Sequence, residues 1–500
     1  MDMETRSIFK NISPIDHRYS LPQGGLYDEL SVFLSEEAGI VYCAMAEMAL
    51  VKAHLKIAEE KKGSLLPKLS SELEKTLDDI ALNIDPSEVY EEEHKTQHNI
   101  RALVNVLKKK VPENTAPLVH LGATSADILD TAFSMRIRDA VIKVIIPLLK
   151  KTELLLCDIA EREAETPQVG RTHGQHAVPI TFGYAVSEYV ARLGKSILKM
   201  EELVKDLRGK FAGAVGAYNA ASLIVSEPMR FEKIYLDYLG LKPSEYSHQL
   251  VEPEYMLRLL LEANIAFGII ANLADDLRNL QRTEIGEVFE YFSATQVGSS
   301  TMPQKRNPWN SEHVKSLWKT FSPRVMSFYM DQISEHQRDL SNSASQRFIA
   351  DYLTGLALAF NRMNSILKGL QADRENMLKN LLQGGGKVRG GVMAEPAYIL
   401  LAECGVSDAH EVIRKITLAA ENQKISFYEA LKAEEKVFAL VTERLKELNF
   451  DKPEELFANP ETAKLDKYTS HKEVFANPER YRGLANVKAK ALAEKYKALM

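Results

Sequence analysis

The sequence predicts an all-α subunit organised around a central bundle of long helices. Three observations lead there. Proline-poor stretches carry apolar residues at helical spacing, strand-like alternation is rare, and neither an internal repeat nor a low-complexity segment suggests a solenoid or a disordered linker. The 500 residues are 45% hydrophobic and 26% charged, enough for a large core and more than one domain.

The long stretches run from about Asp127 to Glu165, from about Ile180 to Arg208, from Glu254 to about Glu290, and from about Ser343 to Leu370. In the third, Ile265, Ile269, Leu273, Leu277 and Leu280 recur at steps of three and four, the stripe a helix buries along one face. A helix of about 37 residues would extend roughly 55 Å, further than one compact domain needs, which implies burial against a partner chain. The expected order is an N-terminal helical domain over 1–122, the bundle over 123–368 and a C-terminal helical domain over 369–500. Gly122 followed by a capping-like Thr-Ser-Ala-Asp marks the first boundary, and the end of the fourth helix marks the second. The glycine-rich stretch "GKFAGAVGAYNAASLIV", 209–225, reads as a short hairpin or loop.

Composition also excludes. A net charge of -6 and a pI near 6.1 arise from interleaved acids and bases, so neither a nucleic-acid footprint nor a polybasic membrane patch is expected. Cys43, Cys157 and Cys404 lack the spacing of a zinc site or a disulfide framework, which points to a reducing, cytoplasmic setting. The start lacks the apolar core of a secretory signal, and the most apolar stretch is interrupted by Glu262, Asn264 and Asn272, against a membrane span.

Four polar segments can carry chemistry. In "HLGATSADILDTA", 120–132, Thr124 and Asp127 fit a capping box, while the same helix start, with the Thr124 and Ser125 hydroxyls, would suit a carboxylate. In "GRTHGQHAVPITFG", 170–183, two histidines, an arginine and a glutamine crowd into a glycine-bounded turn. His173 and His176 lack a neighbouring carboxylate or cysteine, so general acid work fits better than metal binding. In "TQVGSSTMPQKRNPW", 295–309, Gly298, Ser299 and Ser300 offer flexible backbone and amide donors, and Lys305, Arg306 and Asn307 supply cations and an amide. The bland reading is a solvated basic loop, yet such a donor cluster is what a serine needs to act as a base. In "HQRDLSNSASQRF", Arg338, Ser343 and Arg347 would converge on one anion if the element is helical from near Ser343; surface arginines are the plain alternative.

Together these segments resemble the fumarase/aspartase superfamily, whose loop Gly-Ser-Ser-x-Met-Pro-x-Lys-x-Asn is matched in full by "GSSTMPQKRN". "TSADILDT" and "RTHGQ" fall in the order that superfamily shows. "SPIDHRY" near the start and "QRDLSNSASQR" are similar to the nucleotide-entry and phosphate-binding stretches of the branch that acts on succinylated purine nucleotides. The resemblance implies the three-domain fold of the superfamily and elimination of fumarate from adenylosuccinate and SAICAR, with no metal or cofactor. It implies a homotetramer that builds each site from several subunits. It matches His173 to the general acid, Ser299 to the general base and Glu312 to the carboxylate that orients the histidine. Lys305, Asn307, Thr124, Ser125 and Gln249 match carboxylate ligands, Ser300 a substrate-binding serine, His98 a substrate-binding histidine, Arg18 and Tyr19 the nucleotide entry, and Arg338, Ser343 and Arg347 the phosphate ligands. Asn99, where the superfamily branch has aspartate, and His313, where many members have arginine, depart from the pattern. Relatives acting on argininosuccinate or carboxymuconate, whose substrates lack a phosphate, and an inactive structural relative are the competing readings.

Overall fold

The helix starts are written into the chain as caps. Ser35 accepts from the Ala38 amide and opens Glu36–Glu59, Ser70 accepts from Leu73 and opens Ser71–Leu82, and Asp85 accepts from Ser87 ahead of Pro86–Thr96. The computed structural model describes residues 7–60, 63–293, 301–339, 341–447 and 475–500. Its described residues are dominated by helices, and the strands among them are short.

All four long stretches are helical, with changed limits. The first opens at the Thr124–Asp127 capping box as Ser125–Ala140, passes through a π-helical turn at Val141–Ile145 and continues as Ile146–Arg162. The second is Phe182–Leu203. The third, Pro253–Leu280, has 28 residues, or about 42 Å, and stops ten residues short of the expected end. Gly286 turns with a φ of 57°, and Val288–Phe289 instead pairs antiparallel with Gln371–Ala372. Of its predicted stripe, Ile269, Leu273 and Leu277 are buried within the chain while Ile265 is 54% exposed. The fourth divides into Ser343–Arg347 and Ile349–Gly369. The stretch 209–225 forms no hairpin: Arg208–Gly209 pairs in parallel with Lys242–Pro243, and Asn219–Ile224 is a short helix.

The chain divides into two compact units, each drawn from three stretches. The first comprises 1–149, 196–268 and 316–361. Its core gathers Leu50, Leu55, Leu77, Leu103 and Leu107 with the ring cluster Phe211, Phe231 and Tyr235, all nearly inaccessible to solvent. Full burial of such side chains contributes about 1.5–3 kcal/mol each. The second comprises 150–195, 269–315 and 362–500. There Leu381, Met393, Leu401, Ile413, Phe427, Leu431 and Val441 pack together, and Val169 joins them from the first strand of a hairpin.

Candidate active site

In the first unit, a cavity of about 610 Å³ is walled by residues from distant parts of the chain. His98, Thr124, Ser125, Gln249, Ser343 and Arg347 all line it. Each is placed by local structure. His98 caps the helix Asn99–Lys110 by accepting the Arg101 amide on Nδ1 at 3.3 Å, which leaves Nε2 to carry the proton of the neutral ring. Ser125 opens its helix, and Asp127 returns a carboxylate oxygen to the Thr124 amide at 2.8 Å.

Asp127 is itself fully buried. Its other oxygen takes the Lys210 ammonium at 2.5 Å and the Ala212 and Gly213 amides at 3.1 and 3.2 Å, and Lys210 is as inaccessible as its partner. Gln249 sits on a turn closed by a Ser247–Val251 bridge, tied by its own amide to the Gln337 carbonyl and by Val251 to the Asp130 carboxylate at 2.6 Å. Gly216 lets that turn approach: a Cβ there would lie 1.7 Å from the Ser247 carbonyl oxygen.

Ser343 and Arg347 stand four apart on one short helix and share a face. Arg338 does not join them on this wall. It lines an adjoining crease of about 60 Å³, where Nη2 donates to the Asp331 carbonyl and Nε and Nη1 are buried without a hydrogen-bond partner among the described residues. Its φ of 108° is strained for a residue with a side chain. The segment before Ser343 is turn rather than helix, so the expected convergence of all three does not arise from one continuous helix. Arg18 and Tyr19, just after a 3-10 turn at Pro14–Asp16, lie off the cavity lining. Arg136 was not anticipated. It lines the cavity with its Nε and Nη2 spent on the Phe33 and Ser35 carbonyls, and burial lowers its pKa.

In the second unit, the histidine-rich segment expected as a turn is a β-hairpin. Pro167–Thr172 pairs antiparallel with Gln175–Thr181 through a two-residue loop, His173 and Gly174, both with positive φ, 53° and 72°. That is the turn whose twist suits a hairpin. His173 therefore stands exposed at the apex. His176 sits opposite Arg171, and its pKa is lowered by burial and by that guanidinium.

The base of the hairpin is fastened by Glu287, whose carboxylate is inaccessible. It receives Arg171 on both oxygens, at 2.5 and 3.1 Å, with Gln168 at 2.8 Å and Asn380 at 2.9 Å. Ser299 and Ser300 lie outside the described residues. Lys305 is exposed and Asn307 half-buried just ahead of the helix Trp309–Phe321, whose first turn carries Glu312. Among the described contacts none joins Glu312 to His173 of the same chain.

Neither Glu287 nor Arg136 stands in a recognisable motif. Their only sequence signal is a charged residue at a position that the helical period would bury.

The chain is similar to known proteins in both sequence and fold. The family described as Lyase matches residues 27–320, and the one described as Adenylosuccinate lyase C-terminal matches 334–452. The chain is 32% identical over 440 residues to the adenylosuccinate lyase of Pyrococcus abyssi, covering 86% of this chain and 92% of the relative. It is 33% identical over 448 residues to that of Pyrococcus horikoshii, covering 89% and 94%. Among solved structures, a fumarate lyase from Mesorhizobium sp. BNC1 superposes with a TM-score of 0.74 at 21% identity, over 93% of this chain and 97% of that one. A 3-carboxy-cis,cis-muconate lactonizing enzyme from Pseudomonas putida gives 0.73 at 23% identity, over 94% and 97%. These two likenesses establish the fold.

Proposed function

The chain belongs to the adenylosuccinate lyase family of the fumarase/aspartase superfamily, and from that premise we propose how its residues divide the work of a carbon-nitrogen lyase. The substrates are adenylosuccinate, which yields AMP, and SAICAR, which yields AICAR; both release fumarate. The observation that carries the assignment of roles is the cavity that brings His98, Thr124, Ser125, Gln249, Ser343 and Arg347 together.

Ser343 and Arg347 hold the ribose phosphate, and Arg338 supplies a third group at that end from the adjoining crease. Arg18 and Tyr19 serve the nucleotide entry. Thr124, Ser125 and Gln249 take the succinyl carboxylates with Ser300, Lys305 and Asn307, and His98 donates from Nε2.

Ser299 removes the proton from the succinyl carbon next to a carboxylate, and the electron pair spreads onto that carboxylate. Donors already aimed at the developing dianion lower this barrier more than the strength of the base does. The carbon-nitrogen bond then breaks, and His173, oriented by Glu312, gives its proton to the departing nitrogen. Acid and base on opposite faces make the elimination anti.

His173 stands at an exposed tip, and we propose that it serves a cavity of another chain in a cytoplasmic homotetramer. Exposed Ile265, and an apolar stretch of Pro253–Leu280 that is only 56% buried within the chain, support self-association.

The direct test is to incubate the purified protein with adenylosuccinate and measure fumarate; no release would overturn the proposal. The phosphate end separates it from relatives acting on argininosuccinate or carboxymuconate. Adenylosuccinate stripped of its phosphate should be a poor substrate, and equal turnover of the two compounds would favour the phosphate-free reading.

A further inference from the structure

The helix Trp309–Phe321 begins differently from its neighbours. Ser35, Ser70, Asp85 and Ser426 each cap the helix they immediately precede. Here the preceding residue is Pro308, which offers no side-chain acceptor. The cap comes from Glu290 instead. One carboxylate oxygen accepts the Ser311 amide at 2.7 Å and its hydroxyl at 2.6 Å, and the other accepts the Asn310 amide at 3.3 Å and side chain at 2.9 Å. Asn310 is held from a further side by Arg362, at 2.7 Å on its Oδ1, and Arg362 also lies over the Trp309 ring.

Glu290 is in turn held by Gln281, the residue that follows the long helix. The Gln281 side-chain oxygen accepts the Glu290 amide at 3.0 Å, and its nitrogen donates to the Arg306 carbonyl at 3.2 Å. One amide group thus joins the backbone entering the signature segment to the backbone leaving it. The adjoining backbone is paired: Val288 and Phe289 lie opposite Ala372 and Gln371, and the Glu287 carbonyl takes the Asp373 amide. Asn307 adjoins the fastened Arg306, and Glu312 follows the two residues that Glu290 fastens.

We propose that Gln281 and Glu290 form a clasp that positions Glu312 for the elimination. They are positioning residues that act without touching substrate. The inference rests on the role given to Glu312 above. Its physical basis is that holding reacting groups in register is worth a large rate factor, which a displacement of about 1 Å forfeits. A solvent-exposed cap would be worth only local helix stability.

The test measures steady-state turnover of adenylosuccinate by the full-length protein carrying Glu290→Ala, Glu290→Gln, Gln281→Met or Glu312→Gln, together with the double variant Glu290→Ala/Glu312→Gln. Glu290→Ala should lower kcat roughly 10- to 100-fold with a smaller change in KM. Glu290→Gln, which keeps a carbonyl acceptor, should recover part of the loss, and Gln281→Met should fall between the two. In the double variant, the loss should exceed that of Glu312→Gln alone by no more than about threefold, because both changes disable the same group. Should Glu290→Ala fail to fold, Glu290→Gln and Gln281→Met in the Glu312→Gln background carry the same comparison, since Gln281 is only half-buried. Losses that multiply in the double variant, or clasp variants within about twofold of wild-type kcat beside an impaired Glu312→Gln, would overturn the clasp alone. A fully active Glu312→Gln would instead remove the role assigned to Glu312, and the clasp with it.

Discussion

The cavity of the first unit and the hairpin of the second place their chemical groups by opposite means. The cavity wall is assembled from stretches far apart in the chain, so that His98, Thr124, Gln249 and Arg347 are each held by a separate cap, turn or helix. The hairpin is local: two consecutive strands present His173 at an exposed apex, and one inaccessible carboxylate, Glu287, fastens the base. Distributed walls suit binding, because no single support decides the shape. A group on a lever depends on its anchor, so its position is sensitive to residues well away from it.

Each half of this contrast can be tested separately. The largest effect is expected at the apex: His173→Ala should reduce kcat by about 10²- to 10⁴-fold while KM changes little. Mixing inactive His173→Ala and Ser299→Ala proteins under subunit exchange should restore some activity if acid and base come from different chains. No recovery, with exchange demonstrated, would place them on one chain.

Next comes the anchor. Glu287→Ala leaves the Arg171 guanidinium with its carboxylate partner gone, at a cost of about 3–5 kcal/mol of stability. Denaturant unfolding would measure it, and kcat should fall in the residual folded protein. A loss under about 1 kcal/mol would show that the hairpin does not depend on this carboxylate.

In the cavity the effect should be smaller and of another kind. Arg347→Ala should cost about 2–4 kcal/mol in kcat/KM, chiefly through KM, because a phosphate grip is shared by ground and transition states. A fall confined to kcat would contradict a binding role.

The smallest effect on turnover concerns a buried group outside both regions. Burial pushes the Glu153 carboxyl from its ordinary 4.5 up to about 9. The fold therefore keeps this proton where the unfolded chain has already lost it. The stability it contributes is complete below about pH 4.5 and declines up to about pH 9, by at most about 1.4 kcal/mol per pH unit. Glu153→Gln should flatten that decline, so that its Tm gains on wild type as pH rises from about 5 to 8, with kcat unchanged. Parallel Tm profiles for the two proteins would show that Glu153 is ionised in the fold.

Much of this was legible in the chain. Spacing located the four long helices, and the motif around Thr124 marked a segment that lines the cavity. Other features were hidden for physical reasons. Two glycines and Pro179 made 170–183 look like a turn, although glycine followed by alternating residues also serves a tight hairpin. The apolar period through Leu280 continues into Ile285 and Val288, so only strand pairing with Gln371 and Ala372 shows where the helix gives way. Glu290 looks like an ordinary surface acid in the sequence, because the groups it fastens lie elsewhere in the chain. Arg338 was grouped with Ser343 and Arg347 by spacing and by the resemblance, and the turn before Ser343 seats it in an adjoining crease.

The buried pair of Asp127 and Lys210 also bears on how such a chain can change over time. Replacing either residue alone strands a charge where water cannot reach it, at a cost of about 3–5 kcal/mol, comparable to the whole margin of many folds. Replacing both by apolar residues of similar volume can be nearly neutral. The two positions therefore form a ratchet: the viable states are adjacent in chemistry but separated by a strongly destabilised intermediate. Because Asp127 also holds the Thr124 amide, a lineage that crossed that barrier would need a new way to cap the helix beneath the cavity. Drift at these two sites should be rare, and where it has occurred both residues should have moved together.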